Sequence, residues 1–162
     1  MITIHHKRSR RILLQVAADT LALANLAGEY LIHADLSRAN LSKAVLPFAN
    51  LSGAVLAYAD LTGANLQGAN LTEADLTGAD LDGANLAGAT MQATVLAGCR
   101  NLHRARGLEG IRHPGPSELD EQTLRASAAY LPESFLRGVG YTRAEIRYLR
   151  SAYPPSENSE AP

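Results

Sequence analysis

Cys99, His103 and His113 are the side chains best suited to hold a metal ion. Thiolate and imidazole are the preferred ligands of zinc. Their spacing matches no zinc motif and a fourth ligand is missing, so the sequence predicts no metal and no cofactor. Asp60, Asp80 and Asp82, with Glu73 and Asp75, suggest paired carboxylates for acid–base work. Such pairs need a cleft that pushes their pKa values apart. In the repeat described below they occupy outward positions on a convex surface, which predicts solvated carboxylates. No phosphate loop, GxSxG, HExxH or CxxC occurs. The chain is read as non-enzymatic.

The 162 residues amount to about one domain. Hydrophobic residues make up 46% but aromatic residues only 5%, so the core must be built from Leu and Ala. The formal net charge of −1 argues against a general polyanion binder. One cysteine excludes an internal disulfide framework. No apolar run reaches the roughly 18 residues of a membrane span. The expectation is a cytoplasmic chain with no membrane contact.

From Asp19 to Gly98 the chain divides into sixteen five-residue units. Their centres run from Leu21 every fifth residue to Leu96, and fifteen are Leu, with Met91 the exception. Two residues before the centre stands Ala in thirteen units; Asp19, Glu29 and Thr94 depart from it. Asn or Asp often lies between, and Gly often follows two residues after the centre. A period of five makes no helical stripe, because each Leu would rotate about 140° from the last. On a flat strand successive Ala–Leu pairs would fall on opposite faces. A corner in every unit removes the conflict, and Gly tolerates the positive φ a corner requires.

The stretch ADLTGANLQGANLTEADLTGADLDGANLAGA resembles the pentapeptide repeat family, whose pattern is A-(D/N)-L-x-x. The resemblance implies an all-β solenoid, a right-handed quadrilateral β-helix of about four coils. It also implies that Leu26, Leu46, Leu66 and Leu86 stack as one core ladder. Residues 19–99 are read as this β-helix.

A solenoid exposes apolar ends and strand edges, so caps are required. Residues 1–18 are read as a basic arm followed by a capping strand or helix, ILLQVAA. SRRILLQ also resembles a twin-arginine export motif, but Asp19 interrupts the short apolar run. Residues 100–116 are read as a linker because of their Gly and Pro. Residues 117–153 are read as helical, with helices near 118–130, 133–138 and 143–152 and capping boxes at Ser117/Asp120 and Thr142/Glu145. Residues 154–162 are read as disordered. The helical segment is also similar to one that follows the repeats in bacterial effector-linked pentapeptide proteins. That similarity implies a scaffold half whose effector is a separate protein. Arg143, Arg147 and Arg150 share one face of the last helix. Residues 117–150 hold five basic and five acidic side chains, so a solvated face is expected and no direct nucleic-acid contact.

Glu29, out of place in an Ala position, is expected to point to solvent. The N-x-S/T matches at Asn40, Asn50 and Asn70 are by-products of the repeat. Val45, Pro47 and Phe48 on one side, and Val55 and Tyr58 on the opposite one, interrupt the small polar exterior. They are the candidate interface, with Tyr30 and Ile32 as a further apolar spot. The function expected is a scaffold or protein-interaction module with an unidentified protein partner, and a homodimer through the helical segment is a further expectation. The alternative is a DNA mimic that binds a type II topoisomerase, as some pentapeptide repeat proteins do. Residues 24–98 hold seven acidic and two basic side chains, which favours that alternative only over a short length.

Overall fold

The five-residue unit closes on itself through one local bond. In fourteen of the sixteen units the N–H three residues after the centre Leu donates back to that Leu carbonyl, as from Ala69 to Leu66 at 3.0 Å. The residue at the corner, two after the centre, has positive φ in all sixteen units, from Leu23 to Gly98. A turn this tight leaves only a short extended stretch per side, which is the reason few residues form regular strands.

The computed structural model describes residues 1–155 and is a β-helix solenoid. Parallel bridges join residues twenty apart in four ladders. Side 1 carries Asn25, Val45, Asn65 and Asn85; side 2 carries Tyr30, Asn50, Asn70 and Thr90. Side 3 carries Asp35, Val55, Asp75 and Val95; side 4 carries Asn40, Asp60, Asp80 and Arg100. The bonds run both up and down the stack: Asn65 donates to Ala44 at 2.9 Å and Leu66 to Asn85 at 2.8 Å. Backbone polar groups next to the core are thereby satisfied. Leu26, Leu46, Leu66 and Leu86 are buried, as are the alanines at every fifth position from Ala44 to Ala89.

The outward Asn and Asp residues have a structural role in this geometry. The side-chain oxygen accepts the N–H two residues on, as Asn70 does from Thr72 at 3.1 Å and Asp75 from Thr77 at 2.9 Å. This Asx turn opens the bend toward each corner. Asn85 also donates to Asn65 at 3.1 Å, linking adjacent coils.

Residues 100–116 are not a linker. The ladders continue through Asn85 to Arg106, Thr90 to Arg112 and Val95 to Glu118. Here each side has six residues instead of five. The additional residue adopts a left-handed conformation at Asn101 (φ 57) and Gly107 (φ 76), each opening a short 3-10 turn, Leu102–Arg104 and Leu108–Gly110. Leu102, Leu108 and Ile111 extend the core.

The N-terminal arm is ordered as well. Strand β1 (Ile2–His6) pairs antiparallel with β2 (Ile12–Val16) and, on its other edge, with β3 (Ala34–Asp35) of the first coil. The residues expected as a basic arm therefore supply a strand, and Ile4 is buried in the core. The far end is covered by helices α1 (Glu121–Ser127), α2 (Glu133–Val139) and α3 (Arg143–Ala152). Asp120, not Ser117, caps α1, because Ser117 is held in the last coil, where its hydroxyl accepts from Thr94 N–H. Thr142 and Glu145 form the expected reciprocal capping box on α3. Of the tail read as disordered, residues 156–162 lie outside the described residues.

Leu66 is fully buried in the middle of the stack. Leu66→Lys would bury an unpaired ammonium, at a cost of several kcal/mol against a typical stability of about 5–15 kcal/mol. The expected result is loss of the cooperative thermal transition in circular dichroism.

Candidate interaction surface

The carboxylates singled out by the sequence are engaged in the scaffold. Asp60, Asp75 and Asp80 each accept the amide N–H two residues on. Asp80 also takes Asn101 Nδ2 at 2.8 Å and pairs with Arg100 at 3.3 Å. Asp82 pairs with Arg104 at 2.7 Å. Glu73 is exposed at a corner. Glu29 is half-buried rather than pointing freely to solvent.

Cys99, His103 and His113 sit in three separate environments. Cys99 Sγ donates to Leu76 O at 3.1 Å, and burial, with Asp120 and Asp75 nearby, pushes its thiol up to about 12. His103 lies against the Tyr130 ring, with Nδ1 3.3 Å from Ser127 Oγ. Both ring nitrogens of His113 are buried with no hydrogen-bond partner among the described residues, edge-on to Phe135 and beneath Gly138 of α2. Among the described residues no three His, Cys, Asp or Glu side chains are grouped to hold a metal.

The five interface candidates fall into two groups. Val45 lies on side 1, with Pro47 half-buried and Phe48 at the following corner, 70% exposed. Val55 lies on side 3, half-buried, and Tyr58 at the following corner is 60% exposed. Arg38 stacks over Tyr58 with its guanidinium carbon 5.8 Å from the ring centre. Leu23, which the sequence reading passed over, is 70% exposed at the corner that opens side 1. Tyr30, 77% exposed, and Ile32 continue the apolar surface onto side 2. The signal that could have found Leu23 is its place in the corner series, where small residues are expected.

The model of pentapeptide repeats matches eight copies, over residues 21–57 and 59–98. The chain belongs to the pentapeptide repeat family. No curated protein sequence matches it. Among solved structures it is similar to a pentapeptide repeat protein from the Arabidopsis thaliana thylakoid lumen, with 24% identity over 86% of this chain and 79% of that one and a TM-score of 0.40. A pentapeptide repeat protein from Nostoc Pcc 7120 shares 32% identity over 65% of this chain and 81% of its own, with a TM-score of 0.30. QnrB1, a plasmid-mediated fluoroquinolone resistance protein, shares 17% identity over 75% of this chain and 64% of its own, with a TM-score of 0.33. Among the described residues of this pentapeptide repeat chain, no helix is long and apolar enough to cross a membrane.

His113 ties the helical segment to the last coil of the pentapeptide solenoid. Burial lowers its pKa below the ordinary value of 6.5. The unfolded chain therefore binds the proton more readily, so this contribution is intact above about 6.5 and is lost as pH falls below it. Replacing an unpaired buried imidazole by an apolar side chain removes a desolvation penalty of about 1–3 kcal/mol. His113→Leu is expected to raise the melting temperature at pH 7. It should also flatten part of the decline between pH 7 and 5; His103, whose pKa burial also lowers, contributes to the same decline.

Proposed function

We propose that this chain is a non-enzymatic protein-interaction module of the pentapeptide repeat type, a scaffold or an adaptor for a separate effector protein. One observation carries the reading. Of the first eight corners, six hold residues other than Gly, namely Leu23, His33, Arg38, Lys43, Phe48 and Tyr58, all at positive φ. Of the last eight, only Glu73 and Ala93 do. A left-handed conformation costs a non-glycine residue about 1–2 kcal/mol. Strain retained at exposed apolar positions points to recognition. On this reading Val45, Pro47 and Phe48, with Leu23 beside them, form the principal partner surface, and Val55 with Tyr58 a second one. Carboxylates committed to turns and ion pairs support the absence of catalysis.

Within the same reading the solenoid is the right-handed quadrilateral β-helix that family membership implies, and the site of action is cytoplasmic, in keeping with one buried, unpaired cysteine. The alternative, a DNA mimic acting on a type II topoisomerase, draws on the acidic residues of sides 3 and 4. Arg100 and Arg104 pair with two of them, which shortens the acidic stripe and weighs against mimicry. A symmetric dimer through the helical segment would set the exposed Arg143, Arg147 and Arg150 of α3 against their own copies, a like-charge contact that disfavours that surface.

The test pairs binding with stability. Phe48→Gly and Tyr58→Gly relieve backbone strain, so their melting temperatures should stay within a few degrees of the parent. Capture of the native partner on immobilised protein should fall at least tenfold for one of them. Undiminished capture by both, or no partner recovered at any expression level, would defeat the reading. Inhibition or protection of gyrase in a supercoiling assay would instead establish the mimic.

A further inference from the structure

In the sheet order β2-β1-β3, strand β2 is outermost. Its inner edge bonds to β1, and on its outer edge it bonds to no other strand among the described residues. The segment ILLQVAA, residues 12–18, contains no charge and no proline. Ile12 is 54% exposed. An uncharged apolar edge is a template for another strand, and natural edges are usually blunted by charge, proline or a cover.

The charges that do occur lie at the two ends. Arg10 and Arg11 precede β2, and Asp19 follows it. Arg10 contacts Asp35 at 3.3 Å, whereas Arg11 has no carboxylate partner among the described residues. Asp19 is fully exposed, and its one ion-pair partner among the described residues is the terminal amine of Met1 at 3.8 Å. Two copies of β2 in parallel would set arginines against arginines. In antiparallel order, with the axis at Leu14, Ile12 lies opposite Val16 and each Arg10–Arg11 pair lies beside the Ala17–Asp19 stretch of the other copy. Opposite charges on facing strands stabilise the pair and like charges oppose it. Antiparallel pairing of identical strands is also what a two-fold axis produces.

We infer that the outer edge of β2 is a self-association surface, on which a second copy of this chain docks its own β2 antiparallel to form one continuous sheet across the two-fold axis. The contact is at the hairpin end of the solenoid, opposite the end covered by the helical segment.

Light scattering on the full chain, separated by size exclusion over a range from low micromolar to several hundred micromolar, tests this. A concentration-dependent monomer–dimer equilibrium is expected. Arg11→Glu and Asp19→Arg, both at exposed positions, should each weaken it at least tenfold, and the double variant should recover most of the loss, because the facing charges are then exchanged. Ile12→Lys should weaken it with no recovery. Thermal melts should show all four variants folded. A monomer at every concentration overturns the inference. So does a dimer that is insensitive to these changes, or one that responds instead to Arg147→Glu on α3.

Discussion

The left-handed corner is the constraint on which the rest depends. From Leu23 to Gly98 every fifth residue has φ between 49° and 68°. That one backbone choice reverses the alternation of the chain, so that Ala and Leu face inward in each unit. It also fixes the height of each side, so that residues twenty apart meet in parallel ladders. Burial of Leu and hydrogen bonding between coils follow from the corner. Neither could be achieved by the same residues on a flat strand or a helix.

Much of this was legible because the pattern is dense: fifteen of sixteen centres are Leu, and a period of five admits few solutions. The last coil escaped notice because its period changes. Arg100, Arg106 and Arg112 recur at six residues, as do Leu102 and Leu108, but only three sides carry this longer unit. Gly and Pro in that stretch read as loop signals, whereas Gly107 supplies the left-handed residue that absorbs the insertion. The β1 strand was hidden by its own composition. Its His-rich end reads as polar, and its pairing partner in the solenoid is Ala34–Asp35, about thirty residues away. Local patterns do not register such a contact. The interface candidates were visible as apolar residues in polar positions, but the period alone did not single out Leu23.

The groups that looked chemical are held by structure. An outward Asp is indistinguishable in sequence from a catalytic one until its oxygen is found accepting an amide two residues on. Cys99 illustrates the same point. It occupies an inward Ala position, donates to a carbonyl one coil away, and is raised far above neutral pH by burial, so it is a poor nucleophile and a poor ligand. His6 is fixed too: its Nδ1 accepts from the N–H groups of Arg8 and Ser9, which sets the neutral tautomer and shapes the hairpin turn.

The corner residues also explain the glycines of the later coils. A side chain at a corner leans over the corner twenty residues further along. Phe48 covers Gly68 and Tyr58 covers Gly78, each so closely that an added Cβ would come within 2.6 Å of the ring. His33 stands over Gly53 in the same way, whereas Lys43 makes only ordinary contact over Gly63. Gly53, Gly68 and Gly78 therefore answer two demands, positive φ and the space occupied by a ring from the coil before. Gly83 and Gly88 meet only the first, since among the described residues nothing stands within 4 Å of their missing Cβ. The rings of His33, Phe48 and Tyr58 thus require a small residue at the corner one coil on, whereas Arg38 is followed there by Tyr58 and packs against it. The placement of Phe48 and Tyr58 is coupled to the glycines beneath them, and substitutions at Gly68 or Gly78 would displace those rings.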